Sequence, residues 1–317
     1  MKIVYLGSGE FGIECLNALA ESEHNLEFIV TGLPHPAGRG RKPRPTTVAC
    51  WAKNHSISFI KTKDVNEPSV IEEITAYQPD LIVVIAFGQK IGNQLINLPS
   101  KGAINVHASL LPKYRGAAPI NWAIINGESE TGISIITLAE KMDAGYILAQ
   151  SKTDVSENET AGQLHDRLAT MAAPLLLKTI DKIADGSVVY TQQDHSKATR
   201  APKLKKSDGF LDFNDSARSL RRKILGLWPW PEASATYVSK KTGKHGRVII
   251  ANACVVESSN PACLQVGTLD ENLNVICAED ALKVTKIKPA GGLLIDFEDF
   301  VNGRQTCPGD LFMKIDN

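Results

Sequence analysis

The chain has 317 residues, a length that favours two domains over one. With 43% hydrophobic and 22% charged residues, and 35 basic against 35 acidic side chains, its composition excludes disordered, collagen-like and coiled-coil proteins. The longest apolar run, residues 81–87, is too short to cross a bilayer. Met1 leads directly into a strand-like segment without a signal-peptide pattern, which predicts a cytoplasmic protein with no membrane partner.

Strand-like and helix-like segments alternate through the first half of the chain. The apolar runs that predict strands are 2–6, 28–32, 81–88, 104–109 and 133–139, and the amphipathic segments that predict helices are 11–22, 47–55, 89–98 and 119–127. Such alternation implies right-handed crossovers and a doubly wound α/β fold with a mainly parallel sheet. A helical period over 160–186 then closes a first domain, residues 1–190.

The second half of the chain has a different pattern. Residues 191–208 are polar and nearly free of large apolar side chains, which predicts a linker. A helical segment follows at 216–227, with Ser216 in a position to cap its N-terminus. Short strand-like runs then continue to the C-terminus. They predict a small antiparallel β-barrel of the oligonucleotide-binding type over 209–317.

Charge and cysteine spacing set limits on the partners. Residues 191–250 carry thirteen basic and five acidic side chains in an otherwise neutral chain, which indicates a local anionic partner. The basic side chains fall into clusters, each of which alone is typical of a solvated surface, whereas together they favour a track for phosphates. The six cysteines form no CxxC pair and no zinc-site spacing with histidine, so we expect reduced thiols and no metal.

A glycine-rich loop follows the first predicted strand. Gly7, Gly9 and Gly12 fit the pattern G-x-G-x-x-G of a dinucleotide site, yet the second strand ends in Thr31 and Gly32 instead of the expected carboxylate. The alternatives are an NADP site, with a nearby arginine on the 2′-phosphate, or a tight turn that packs helix on strand.

A basic loop follows the second predicted strand. Arg39, Arg41, Lys42 and Arg44 lie among prolines and glycines, a composition that excludes a helix or a central strand. The loop presents cations to solvent, either for phosphate binding or as an ordinary solvated surface.

The segment around residue 105 carries the strongest chemical signal. Asn105 and His107 are two apart on a predicted strand, so they face the same side near its carboxyl end, where doubly wound sheets bind ligands. An amide can donate to an oxyanion and an imidazole can move a proton, a pair suited to acyl transfer. Asp143, after the next predicted strand, could orient the imidazole. Alternatively, Asn105 and His107 have a structural role only, and Asp143 is an ordinary aspartate in a turn.

Together these residues resemble the 10-formyltetrahydrofolate-dependent formyltransferases, whose motifs are Asn-x-His, SLLPxxRG and a later Asp. The resemblance covers nearly the whole chain. Its segments are PAGRG at 36–40, INVHASLLPKYRGAAPI at 104–120, ETGISI at 130–135, MDAGYIL at 142–148, WPWPEA at 228–233 and IKPAGG at 287–292. It implies a Rossmann-like formyltransferase domain, a C-terminal β-barrel of the oligonucleotide-binding type, and transfer of a formyl group from 10-formyltetrahydrofolate to initiator methionyl-tRNA.

The resemblance also implies roles for particular residues. The implied catalytic trio is Asn105, His107 and Asp143. The implied folate contacts are Ser109, Leu110, Leu111, Pro112, Ala86, Phe87 and Gly88. The resemblance implies that the loop with Arg39 contacts the tRNA, and the basic clusters add further expected contacts. The expected tRNA contacts are Arg39, Arg41, Lys42, Arg44, Lys203, Lys205, Lys206, Arg221 and Arg222. A metal is not required, and a monomer is expected.

Three alternative functions remain at this point. A formyltransferase that acts on an amino sugar nucleotide would share the Asn-x-His and SLLP motifs but has less use for the basic segments. An NADP-dependent oxidoreductase would use the glycine loop and leave SLLPKYRG unexplained. A catalytically silent RNA-binding protein would not need Asn105, His107 and Asp143. The chain also departs from the family pattern at Gly9, at Phe87 and at Tyr146.

Overall fold

The structure, a computed structural model, describes residues 1–37, 42–258 and 265–315. It divides into two compact units. The first comprises residues 1–119, 130–154 and 165–202, and the second comprises 120–129, 155–164 and 203–317. Among the described residues, no helix is both long enough and apolar enough to span a membrane.

The first unit contains a twisted sheet with helices between its strands. Its strands are β1 (Lys2–Gly7), β2 (Asn25–Gly32), β3 (His35–Ala37), β4 (Lys42–Arg44), β5 (Phe59–Thr62), β6 (Leu81–Ile85), β7 (Ala103–His107), β8 (Arg115–Gly116), β9 (Glu130–Thr137), β10 (Ile147–Asp154) and β11 (Arg200–Ala201). The helices up to residue 185 are α1 (Ile13–Ala20), α2 (Thr47–Asn54), α3 (Pro68–Ala76), α4 (Asn93–Ile96), α5 (Pro119–Ile125) and α6 (Ala161–Asp185), of which nearly all of α5 and the first turn of α6 belong to the second unit.

The strand order in the main sheet is β10-β9-β7-β6-β1-β2-β5. The five strands from β7 to β5 are parallel, whereas β9 and β10 are antiparallel to their neighbours. The predicted doubly wound, mainly parallel α/β fold is therefore confirmed. The strands β1 and β6 are buried on both faces, as parallel strands covered by helices must be, which explains their near-continuous apolar sequences.

The segment of the predicted linker up to residue 202 lies in the first unit. Its last residues form β11, which pairs in parallel with β8 of the SLLPKYRG segment. The basic loop also has regular structure where it is described, because β3 and β4 pair as an antiparallel ribbon.

The second unit contains an antiparallel sheet. Its strands are β12 (Ala233–Val238), β13 (His245–Val256), β14 (Val275–Ile276), β15 (Ala281–Pro289), β16 (Ile295–Asp296) and β17 (Leu311–Met313), and its further helices are α7 (Ala217–Gly226) and α8 (Phe297–Arg304). The strand order is β14-β15-β13-β12-β17. Single bridges from Thr268 to Leu311 and from Leu269 to Val275 connect the two edges. The sheet is nearly closed, which confirms the predicted small β-barrel.

Helix α7 illustrates how the sequence determines the local structure of this unit. The Ser216 hydroxyl accepts a hydrogen bond of 3.2 Å from the Ser219 amide and so caps the helix, as predicted. Leu220 and Ile224, four apart, are fully buried in the core of the barrel. Arg221 and Arg222 lie on other faces of the same helix, where they remain partly exposed.

Two buried thiols predict a loss of stability at high pH. Burial raises the pKa of Cys15 and of Cys277 from 9.0 to about 12. Well below pH 9 both thiols are neutral in the folded and unfolded chain, so their contribution to stability is complete. As the pH rises from about 9 towards 12 the unfolded chain ionises first, and the free energy of unfolding falls. We expect the unfolding midpoint to drop over this range, and Cys277→Ala to make the drop shallower. An unchanged slope in that variant would contradict the assignment.

Candidate active site

Strand β7 places Asn105 and His107 on one face at its carboxyl end. Asn105 is half-buried and His107 is 5% exposed, with β6 and β9 pairing on either side of the strand. Asp143 reaches the same place from the turn between β9 and β10, with its Oδ2 atom 3.7 Å from the His107 Nδ1 atom. The structure therefore brings His107 and Asp143 together, as the sequence predicts.

The hydrogen bonds of His107 indicate its tautomer. Its Nε2 atom lies 2.9 Å from the Tyr114 carbonyl oxygen. Because a carbonyl only accepts, Nε2 carries a proton, and Nδ1 faces the Asp143 carboxylate. A separation of 3.7 Å is too long for a direct hydrogen bond but close enough for an ion pair. The Asp143 carboxylate is placed to stabilise positive charge on the ring.

The turn that carries Asp143 has an unusual backbone. Asp143 has a φ of 52°, in the left-handed region that few non-glycine residues adopt. Its carboxylate accepts a hydrogen bond of 2.9 Å from the Gly116 amide, and its backbone carbonyl accepts one of 2.8 Å from the Gln193 side chain. The Asp143 carboxylate is thus held by Gly116 of the SLLPKYRG segment, and the Asp143 backbone is held by Gln193, which precedes β11.

The SLLP segment is held by side chains from β9 and β10. The Ser134 hydroxyl donates to the Ser109 carbonyl (2.6 Å) and accepts from the Leu111 amide (3.0 Å) and the Gln150 side chain (2.7 Å). Gln150 also donates to the Leu111 carbonyl (3.0 Å). The Ser109 hydroxyl is fully buried and donates to the Lys113 carbonyl. Ser109 therefore contributes its hydrogen bonds to the loop itself.

The turn at 86–88 borders the glycine loop. Ala86 and Gly88 have φ values of 46° and 77°, and both are exposed. The Ala86 carbonyl accepts hydrogen bonds from the amides of Ser8 (3.3 Å) and Gly9 (3.2 Å). Phe87 points the other way and is buried in the core of the first unit. The turn therefore offers its backbone, and not the Phe87 ring, to a flat heterocycle.

Comparisons with known proteins agree with the site. A formyl transferase family model matches residues 1–180, and the model of the formyl transferase C-terminal domain matches residues 203–305. The chain is 37% identical to the methionyl-tRNA formyltransferase of Citrifermentans bemidjiense over 100% of this chain and 98% of that one. It is 42% identical to the enzyme of the same name from Alkaliphilus oremlandii over 98% and 99%. The chain belongs to the methionyl-tRNA formyltransferase family.

Solved structures share the fold of this family member at low sequence identity. WlaRD, a sugar 3N-formyl transferase, matches 92% of this chain and 99% of its own with a TM-score of 0.65 and 13% identity. HypX from Aquifex aeolicus in complex with tetrahydrofolic acid matches 95% of this chain and 47% of its own with a TM-score of 0.63 and 17% identity. These likenesses concern the fold alone.

The glycine loop of this formyltransferase packs against a buried tyrosine. A Cβ atom on Gly7 or on Gly12 would overlap the Tyr5 side chain. Burial raises the pKa of the Tyr5 phenol well above its ordinary value of 10.0. At the end of β2, Thr31 is fully buried and lies 2.7 Å from the Thr46 hydroxyl, oxygen to oxygen. Gly7 and Gly12 are thus explained by their close packing against Tyr5 of β1, which favours the tight-turn alternative over a dinucleotide site.

The basic side chains predicted to bind RNA have different environments. Lys42, Arg44, Lys203, Lys205 and Lys206 are exposed, and Arg39 and Arg41 lie outside the described residues. In the second unit, the Arg221 guanidinium donates to the Glu157 carbonyl (3.1 Å) and to the Asn158 side chain, and its side chain is 12% exposed. Arg222 lies against Gly127, where a Cβ would overlap its guanidinium. Both arginines line a cavity of about 520 Å³ in that unit.

Several residues around the site carry no signal in the sequence. Ser134 lies in β9, Gln150 in β10 and Gln193 in the polar segment before β11. In the sequence they are ordinary polar residues, yet each forms hydrogen bonds that hold a segment of the site in place. Within the described ranges, His, Cys, Asp and Glu side chains form no group of three that could hold a metal ion.

Proposed function

We infer that this protein transfers the formyl group of 10-formyltetrahydrofolate to the free α-amino group of methionyl-tRNA, giving formylmethionyl-tRNA. The observation that carries this function is the match of both domains, over the full length of the chain, to relatives of that name at up to 42% identity. The initiator tRNA is the proposed acceptor, since formylated methionyl-tRNA starts translation. We place the reaction in the cytoplasm, with the protein acting as a monomer.

For catalysis, we assign roles to three residues. The neutral amine attacks the formyl carbon, a C–N bond forms, and the carbonyl oxygen becomes an oxyanion. The Asn105 amide donates a hydrogen bond to that oxygen, with His107 beside it. The intermediate collapses by breaking the bond from carbon to the folate nitrogen, which leaves with a proton. Asp143 orients His107 and helps carry this proton from the amine to the leaving nitrogen.

The folate would lie against the segments on either side of β7. We propose that the backbone of Ala86, Phe87 and Gly88 and the loop Ser109 to Pro112 hold the pterin ring. The support is local: positions 86 and 88 are exposed, and the loop is fixed in place by Ser134 and Gln150. Such prior ordering lowers the free energy cost of binding a rigid ligand.

For the RNA, we propose an electrostatic surface. The exposed cations of β4 and of residues 203–206 supply positive charge suited to phosphates, as do Arg39 and Arg41 in the sequence. We assign catalysis to residues 1–190, a linker role to 191–208 and RNA binding to 209–317, with the cations just named adding to the RNA surface from outside that last domain. Arg221 and Arg222 belong to this RNA-binding set.

Salt dependence tests the electrostatic surface. We expect the affinity for methionyl-tRNA to fall about tenfold or more as salt rises from about 50 to about 200 mM, because bound cations release counterions from the phosphates. Changing Lys203, Lys205 and Lys206 together to Gln should reduce the salt slope. As a control, changing the exposed Lys53, Lys61 and Lys63 to Gln should leave it unchanged. A flat salt response of the wild type would contradict the proposal.

The function itself is tested by product analysis. The purified protein is incubated with 10-formyltetrahydrofolate and methionyl-tRNA, and an amino sugar nucleotide is offered in a parallel tube. Mass spectrometry of each amine should find formylmethionine on the tRNA and no formylated sugar. A formylated sugar alone would keep the reaction class but reassign the acceptor, and no transfer to either amine would contradict formyl transfer.

A further inference from the structure

A strap, defined here as residues 193–201, contacts Asp143 at one point and Tyr114, the hydrogen-bond partner of His107, at another. We propose that this strap positions the pair for formyl transfer, with Gln193 acting on Asp143 and Thr199 acting on His107. The proposal rests on the function inferred above, and neither residue is proposed to touch the substrates.

Gln193 joins the Asp143 turn to the SLLPKYRG segment. Its side chain is buried, and the residue is 4% exposed. The Nε2 atom donates to the carbonyls of Asp143 (2.8 Å) and Gly145 (2.7 Å), and Oε1 accepts from the Arg115 guanidinium (2.6 and 3.2 Å). Both amide hydrogens and the oxygen are therefore used. A buried amide with all its groups paired has one favoured orientation, and here it fixes the turn that presents the carboxylate.

Thr199 fixes the partner of the imidazole. Its hydroxyl oxygen accepts a hydrogen bond of 2.8 Å from the Tyr114 amide, and its carbonyl accepts one of 2.9 Å from the Arg115 amide. Tyr114 has a φ of 62°, an unusual backbone conformation that needs such support. The carbonyl of this same residue accepts the hydrogen bond from His107 Nε2. Thr199 thus acts on His107 through the backbone of Tyr114.

The arrangement matters because the pair is only loosely coupled by itself. His107 belongs to β7 and Asp143 to a turn, and the 3.7 Å between their side chains leaves no direct hydrogen bond to fix the distance. The last two residues of the strap form β11, which pairs with β8. Gly116 permits this pairing because a Cβ there would overlap the Ala201 carbonyl. A displacement of about 1 Å at reacting groups can slow catalysis about a hundredfold.

Two substitutions that preserve side-chain shape test the strap. Gln193→Glu keeps an acceptor for Arg115 but removes both donors to the turn, and Thr199→Val removes the acceptor for the Tyr114 amide. Steady-state kinetics should show kcat about tenfold to a hundredfold lower, with KM for the folate and for methionyl-tRNA changed less than about threefold. Thr199→Ser should restore most of the rate. The matched controls Gln192→Glu and Thr191→Val alter the same residue types at exposed neighbouring positions and should behave as wild type.

A second readout separates positioning from simple loss of structure. Nitrogen NMR of the His107 ring, identified by its absence in His107→Gln, should show a protonated Nε2 in the wild type and a mixture of tautomers in Thr199→Val. The unfolding midpoints of the strap variants and their controls are measured alongside.

The outcomes are distinct. Unchanged kcat and an unchanged ring signal in both folded variants would overturn the proposal, as would a change in KM alone. If Gln193→Glu does not fold, Thr199→Val decides by the same criteria. A wild-type protein that does not formylate methionyl-tRNA would instead overturn the proposed function.

Discussion

Replacing Asn105 with alanine is expected to slow formyl transfer about a hundred- to a thousandfold, because removal of one donor to an oxyanion typically costs about 3 to 4 kcal/mol of transition-state stabilisation. The effect should appear in kcat, since the oxyanion forms only after the substrates are bound. His107→Ala should reduce turnover at least as far, because it removes the group that lies against Asp143. The measurement is single-turnover formylation of methionyl-tRNA at saturating folate.

Binding must be measured in the same variants. Neither side chain is assigned to the RNA, so the dissociation constant for methionyl-tRNA should stay within about threefold of wild type. Asn97→Ala, at the exposed end of α4, provides a matched control and should retain the full rate. A wild-type rate in either Asn105→Ala or His107→Ala would remove that residue from the mechanism.

Gly145→Ala is expected to have the second-largest effect, and it should lower both stability and rate. A Cβ at Gly145 would overlap the Thr137 backbone carbonyl, which cannot move without disrupting the end of β9. The turn would have to shift, and it carries Asp143 two residues earlier. We expect a loss of about 3 kcal/mol or more in unfolding free energy, as for other severe clashes in a packed site. The rate should fall about a hundredfold by displacement of the carboxylate.

A glycine in open space supplies the control. Gly303 is exposed in α8, where an added Cβ meets no atom within 4 Å. Alanine favours a helix over glycine by about 1 kcal/mol, so Gly303→Ala should leave the rate unchanged and raise the unfolding midpoint slightly. Equal midpoints and rates for Gly145→Ala and wild type would show that the turn tolerates the clash, contrary to the packing described here.

The features predicted from sequence follow from local periodicity. The two-residue repeat places Asn105 and His107 on one side of β7, and the alternation of strands and helices predicts the parallel part of the sheet. The rule for parallel strands does not explain how Asp143 comes near His107, because β9 runs antiparallel to β7; the turn after β9 brings the carboxylate there. The roles of these three residues stay predictions until the variants are measured.

The features that could not be predicted from the sequence depend on contacts between segments far apart in the chain. Gln193 and Thr199 lie in a polar segment without periodicity, and their partners are about 50 and 85 residues away in the chain. Nothing local indicates that such a segment forms hydrogen bonds with the turn that carries Asp143 or with Tyr114. The inward orientation of Phe87 is likewise set by the core around it and not by the motif in which it occurs.

Competition between two acceptors tests the central claim most directly. The protein is given formyl-labelled 10-formyltetrahydrofolate with methionyl-tRNA and an amino sugar nucleotide in one tube, and the label on each amine is followed with time. We predict label on the methionyl-tRNA alone, and its loss in Asn105→Ala. Label on the sugar, or an equal rate of labelling in that variant, would contradict the account of this site as a methionyl-tRNA formyltransferase centre.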